Sequence, residues 1–293
     1  MSISSIICVG ETLWDVLPHG EFLGGAPLNV AAHLTRLGVR AGMVSRIGTD
    51  DRGRRALQRI ESIGLDTSLV QLDPQWPTGI AEAVLDATGA ASYRFPQPCA
   101  WDALQATEAA IEAAHNSIVI FGTLAQRSAT ARDAITRILE VASVRVCDAN
   151  LRAPHVDREI ALASLRHADF VKLNEEEVRI FADWLGVPGR PESLWETLSR
   201  QFGLRSFCVT EGERGACLWH EGIYVAQPAQ PTQVADTIGA GDSFLAMLIV
   251  ELFEGSAPST AMERASRLAA YVASQPGATP DYDPSAFRGE LQP

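Results

Sequence analysis

Short apolar runs rich in β-branched residues recur along the chain, each closed by a glycine or a polar residue: SIICVG near the start, then AGMVSRIG, SIVIFG, VRVCDAN, DFVKLN and SFCVTEG. Between them, Arg52 to Ile63, Ala103 to Ala114, Thr130 to Val141 and Ile160 to His167 repeat their apolar residues at spacings of three and four, the period of a helix. This alternation predicts an α/β fold, a mainly parallel sheet with helices on both faces. Ligands then belong at the carboxyl ends of the strands. No linker, low-complexity stretch or short repeat interrupts the pattern, so residues 1–293 read as a single domain.

One stretch breaks the rhythm. Thr78 to Phe95 reads as two strands joined by a turn around Thr88-Gly89, where a helix is due. Thr12 to Leu17 is a further strand-like piece directly after the first core strand, and it leads through Pro18 and Gly20 into Glu21 to Gly25. Together, residues 12–25 and 76–97 predict a small β-sheet projecting from the main layer. It is either a lid that excludes water from a site at the strand ends or a plain surface hairpin.

Charge and composition then narrow the chemistry. The chain carries 24 basic and 36 acidic residues, a formal net charge of −12, and its only lysine is Lys172. Nucleic acid and anionic membranes reward clustered positive charge, so neither is expected as a partner. Lys172 lies outside any G-x-x-x-x-G-K-[ST] pattern, and the strand-lysine, H-R-D and D-F-G set of protein kinases is missing too. The longest apolar run, Phe244 to Val250, falls far short of the ~20 residues of a membrane helix. Five cysteines without a C-x-x-C pair, three of them inside apolar runs, predict reduced core thiols. With no secretory pattern at the start, the expected location is the cytoplasm. The six histidines lack the spacing of a zinc site.

The richest segment is VADTIGAGDSFLAMLIV, Val234 to Val250, in which a Gly-Ala-Gly turn runs into an apolar helix with Asp242 in its opening turn. Gly239 and Gly241 let backbone approach a ligand, and free N–H groups at a helix start attract an anion. There, Asp242 would accept a proton from a hydroxyl attacking phosphorus. Without a ligand, the same residues make a tight turn capped by Asp242. Gly24 and Gly25 precede a second helical pattern with Asn29 in its first turn, suited to forking onto vicinal hydroxyls or simply to capping. Asp15 is placed at a strand end, as a hydroxyl acceptor or an exposed turn carboxylate. Asp148 to Arg152 and Lys172 to Glu177 set polar side chains just past apolar runs: Arg152 suits a phosphate. Asn174 and Glu177, one helical turn apart, suit water around Mg²⁺ or a dipole-matched helix start.

In this order, GE..WD, GGAPLNVA..L..LG, G.D..G at Gly48 to Gly53, D.NLR, K.NEEE, VT.G..G at Val209 to Gly215, DTIGAGDSF and QPGA at Gln275 to Ala278 resemble the ribokinase-like, or PfkB, family of carbohydrate kinases, nearly end to end. The resemblance implies a three-layer α/β/α ribokinase-like domain with a β-sheet lid, and transfer of the γ-phosphate of ATP to a sugar. By the family's pattern Asp242 is the base, and Gly239, Ala240 and Gly241 form the anion hole. Asp15, Gly24, Gly25 and Asn29 contact the sugar, with Arg152 beside them. The N-x-x-E of Asn174 and Glu177 influences Mg²⁺ and phosphate. Thr210, Gly212 and Gly215 line the nucleotide strand end, the segment from Ser266 to Gly277 walls the adenine pocket, and Lys172 is a second nucleotide contact. Many members hold K⁺ near positions matched by Asp236, Ile238 and Gly277. Within the family, GE.LWDVLP, GGAPLN and FGTLAQR resemble fructokinases, so D-fructose is the expected substrate. Another sugar or sugar acid, such as ribose or 2-keto-3-deoxygluconate, or a non-catalytic sugar sensor, are the alternatives. In this family the lid can also join two copies, and Ile80, Ala83, Leu85 and Tyr93 would supply the apolar face.

Overall fold

A computed structural model describes residues 5–17, 20–85 and 91–288. The chain enters the main sheet at β1 (Ile6–Val9), leaves it for β2 (Leu13–Leu17) and β3 (Gly20–Gly24), then forms α1 (Ala26–Arg36), β4 (Ala41–Gly48), α2 (Asp51–Ile63) and β5 (Val70–Asp73). Strands β6 (Gly79–Leu85) and β7 (Ala91–Arg94) leave the main sheet again, followed by α3 (Glu108–Ala114), β8 (Ile118–Phe121), α4 (Ala129–Glu140), β9 (Val144–Asp148) and α5 (Arg158–His167). Next come β10 (Phe170–Asn174), α6 (Glu175–Leu185), α7 (Pro191–Phe202), β11 (Ser206–Thr210), β12 (Ala216–His220) and β13 (Ile223–Gln227). Helices α8 (Ala240–Phe253), α9 (Pro258–Ala273) and the short α10 (Ser285–Arg288) complete the chain.

Nine strands form the large sheet in the order β13-β12-β11-β10-β9-β8-β1-β4-β5, all running in one direction except β12. Period-two alternation divides its core into two layers. Ile7, Val9, Val119, Phe121, Val171 and Leu173 pack against α3 to α7, while Ile6, Cys8, Ile118, Ile120, Phe170 and Cys208 pack against α1, α8 and α9. Helix α8 is apolar all round because it is enclosed: Phe244 to Val250 are all buried, between α1, α9 and the sheet. All five cysteines are unpaired and buried. No helix among the described residues is long and apolar enough to cross a membrane.

The second sheet has the order β3-β2-β6-β7, with β2 and β6 parallel. Its turn around Thr88-Gly89, and Pro18, lie outside the described residues. Side chains tie this sheet to the main body. Trp14 Nε1 donates to the Arg52 carbonyl (3.0 Å), and Arg52 and Arg55 of α2 both pair with Glu21 of β3. At its base, buried Arg127 holds Asp102 (2.8 Å) and the carbonyls of Phe95 and Pro96 (3.0 Å each), and lies over the Trp101 ring.

Several expectations need correction. The helix expected from Ala103 to Ala114 starts only at Glu108. Leu104 is extended and buried, a 3₁₀ turn precedes it at Ala100–Ala103, and the Thr107 hydroxyl caps the helix by accepting from Ala110 N–H (3.2 Å). Strand β5 and the β12–β13 hairpin have no counterpart in the pattern reading: β5 is four residues long with Leu72 52 % exposed, and β13 lies on the sheet edge with Ile223 and Tyr224 half exposed. Asp15 is not at a strand end but in the middle of β2, because the chain pairs with β3 and β6 there instead of turning into a helix.

Candidate active site

The start of α8 meets the start of α1 at the carboxyl edge of the large sheet. Gly239 opens α8 in the left-handed region (φ 77°), and a Cβ on it would lie 2.3 Å from the Ala278 carbonyl oxygen, so the turn admits only glycine. That carbonyl is held by His33 of α1: His33 Nε2 donates to Ala278 O (3.0 Å), which leaves Nδ1 to accept from the Tyr282 hydroxyl (3.0 Å). Burial pushes the His33 pKa down to about 4, so the brace is neutral imidazole.

Asp242, the third residue of α8, is 8 % exposed, and its Oδ2 accepts from Asn29 Nδ2 at 2.8 Å. Burial, with the negative charge of Asp148 behind it, raises the carboxyl to about 6 against the pull of Lys172, Asn29 and Arg152. Lys172 stands under the loop, where a Cβ on Gly241 would lie 3.4 Å from Nζ, and donates to Asp148 Oδ1 at 2.8 Å. Both partners are buried. Burial opposes the ammonium charge, yet Asp148, Asp242 and Glu177 outweigh it and shift its pKa upward.

In front of Asp242 opens a cavity of about 260 Å³. Glu11, Asp15, Gly25, Asn29, Asn150 and Arg152 line it with polar groups and backbone, Tyr93, Phe95 and Leu124 add apolar surface, and Thr237, Ile238, Gly239 and Gly241 line it with Asp242. Gly24 is buried behind this wall and makes room for Asp15, whose Oδ2 would be 2.4 Å from a Cβ there; Gly25 (φ 113°) lets α1 start against the Glu11 carbonyl. Burial raises Asp15 to about 6, opposed by Arg152.

Other expected residues lie elsewhere. Asn174 and Glu177 cap α6 reciprocally: Asn174 Oδ1 accepts from Glu177 N–H (2.9 Å), while Glu177 accepts from the Asn174 and Leu151 N–H groups (2.8 Å each). With both of its oxygens occupied and the residue 3 % exposed, Glu177 is spent as a cap, and the pair does not fit direct ligation of Mg²⁺. Burial and Asp148 also raise its carboxyl. Thr210 pairs in register with Asn174 on the next strand, Gly212 sits in the turn after β11, and Gly215 (φ 105°) admits β13, since a Cβ there would meet the Gln227 carbonyl at 2.0 Å. Ser266 is buried within α9. Asp236 joins the remaining loops, accepting from Ile238 N–H (3.0 Å) and Gly277 N–H (3.2 Å). Its half-buried carboxylate keeps lone pairs to spare beside these backbone turns, an oxygen donor of the kind a monovalent cation such as K⁺ would take. Among the described residues no group of three or more His, Cys, Asp or Glu is placed to hold a metal. Of the expected dimer face, Ile80 packs inward on the Trp14, Ile47 and Ala56 cluster and Tyr93 lines the cavity; the side chains of Ala83 and Leu85 are outside the described residues.

The profile of the pfkB family carbohydrate kinase matches residues 16–285. The chain belongs to this family. It is 30 % identical over 278 residues to a fructokinase of Klebsiella pneumoniae, covering 89 % of this chain and 88 % of that one. The fold is similar to that of a fructokinase with bound ATP from Xylella fastidiosa (TM-score 0.83, 22 % identity, 94 % of each chain). It is also similar to that of a Vibrio cholerae fructokinase holding fructose, ADP and calcium (TM-score 0.80, 23 % identity, 94 % and 95 % covered). As a PfkB carbohydrate kinase the chain has its strongest chemistry at Asp242 and the turn before it. Sequence reasoning passed over the roles of Glu11, Asn150 and His33. The first two lie within the quoted GE..WD and D.NLR motifs, which was their only signal, and His33 shows nothing local but its place one turn after Asn29.

Proposed function

We propose that this carbohydrate kinase is an ATP-dependent fructokinase. The observation that carries the reading is the buried carboxylate of Asp242 at a helix start, held by Asn29 on the wall of a cavity sized for a small sugar. The sugar lies between Asp15, Asn29 and Arg152, under the Tyr93 side of the small sheet, which acts as a lid. One hydroxyl oxygen attacks the γ-phosphorus as Asp242 takes its proton, and the bond from phosphorus to the bridging oxygen of ADP breaks. The first N–H groups of α8, which have no partner within the helix, meet the charge on the transferring phosphoryl oxygens. Lys172 adds positive charge beneath Gly241 without leaving Asp148.

The nucleotide extends from this turn along the edge formed by Thr210, Gly212 and Gly215 toward α9 and Gly277. A divalent ion such as Mg²⁺ bound to its phosphates would offset their charge, with Asn174 and Glu177 shaping the adjoining backbone; Asp236, Ile238 and Gly277 would hold K⁺. Relatives named fructokinase at about 30 % identity support fructose, and unpaired buried cysteines suit the cytoplasm. The test is an ADP-release assay over D-fructose, D-ribose, 2-keto-3-deoxygluconate and D-glucose. Fructose is expected to give the highest kcat/KM; a better acceptor among the others would overturn the substrate, and no turnover with any would overturn the kinase reading.

A further inference from the structure

Glu11 follows β1 immediately before the lid strand β2 and is 4 % exposed. Its Oε2 is buried without a hydrogen-bond partner among the described residues, although the residue lines the sugar cavity. Directly behind lies a cleft of about 10 Å³, space for one water, also lined by Glu11 together with Asp148 and Asn150. Asp148 Oδ2 and Asn150 Nδ2 are buried and unpaired as well, and Asn150 adopts a left-handed backbone (φ 43°) to stand there. Two acceptors and one donor around a single-water cleft are the partners one water needs. Buried polar atoms left open are costly unless something completes them.

We infer that Glu11 is a further sugar-binding residue: one water in the cleft joins Oε2 to Asp148 and Asn150, and the carboxylate fixed in this way accepts a hydrogen bond from a hydroxyl of the bound sugar. Glu11 shares this cavity with Asp242 and Arg152. Burial also raises its carboxyl to about 7. This rests on the sugar-kinase reading above. It goes further by assigning a contact to a side chain otherwise without a role.

The test compares wild type, Glu11→Leu and Glu11→Asp with the best sugar of the panel and its monodeoxy analogues. Both variants should raise KM for the sugar about tenfold or more, leaving KM for ATP nearly unchanged. One monodeoxy analogue should lose affinity with wild type but lose little more with Glu11→Leu, because the lost hydroxyl and the lost acceptor are the same contact. A sugar KM within twofold of wild type in both variants, or equal losses for every analogue in wild type and variant, would overturn the assignment while leaving the kinase intact. A wild type that phosphorylates no sugar would overturn the underlying reading and this assignment with it.

Discussion

Replacing Asp242 by Asn is expected to abolish most turnover and yet stabilise the protein. In the fold the carboxyl is raised from 3.8 to about 6, chiefly by burial. Unfolded, it ionises near 3.8. Between these values the native state holds a proton that the unfolded state has lost, so the stability contributed by this group is full below pH 3.8 and disappears as pH rises through 6. At ~1.4 kcal/mol per pH unit, the ionised carboxylate costs the native state about 3 kcal/mol at pH 8. Asn is neutral at every pH and its Oδ1 can still accept from Asn29, so Asp242→Asn should recover about 1–3 kcal/mol at pH 8 and almost nothing near pH 4. For a chain of this size that is roughly 2–4 °C of melting temperature per kcal/mol at most. The same change removes the base, which is worth about 10²–10⁴ in kcat. In wild type, kcat should fall as pH drops through about 6, since protonated Asp242 cannot accept the hydroxyl proton. Calorimetry at pH 8 and pH 4 with the ADP-release assay reads both effects. An unchanged or lower melting temperature at pH 8, or a kcat within tenfold of wild type, would refute the reasoning.

Two further perturbations separate the parts of the site. Lys172→Met leaves Asp148 charged and buried without its partner, so urea unfolding should show a loss of about 3–5 kcal/mol, and the acid limb of kcat should move to higher pH because Asp242 loses a positive neighbour. Gly239→Ala sets a Cβ against the Ala278 carbonyl in a left-handed turn, so it should destabilise by several times the roughly 1 kcal/mol expected for Gly212→Ala, whose Cβ meets nothing within 4 Å; equal melting temperatures for the two would contradict the packing.

The features legible in the sequence are those whose cause is local. Gly239, Gly241 and Asp242 declare a helix start within four residues, and the 3.6-residue period of α2, α4 and α5 places those helices to within two residues of their ends. Asn174 and Glu177 declare a helix start just as plainly, but the pattern of a capping box is the same whether its carboxylate is free or used up, and only the Leu151 N–H, 26 residues earlier, decides that it is used. Edge strands such as β13 fail for the opposite reason: with a half-exposed surface they carry no long apolar run, and their existence depends on β12 beside them.

Lys172 shows where local reading stops. As the only lysine, next to a polar strand end, it reads as a second contact to the nucleotide. Its actual partner is Asp148, 24 residues away in sequence but directly opposite on the neighbouring strand, because the β9–β10 register pairs these two residues. That pairing turns a free cation into one whose charge is shared between a buried carboxylate and the loop above it. The unpaired oxygens of Glu11 and Asp148 are equally invisible in sequence, since an unmet hydrogen bond is a property of what is absent around an atom. A close-packed core leaves few such atoms open, and three of them, on Glu11, Asp148 and Asn150, meet at the cleft beside the cavity that Asp242 faces, so the site shows itself as much by what the fold leaves incomplete as by what it places there.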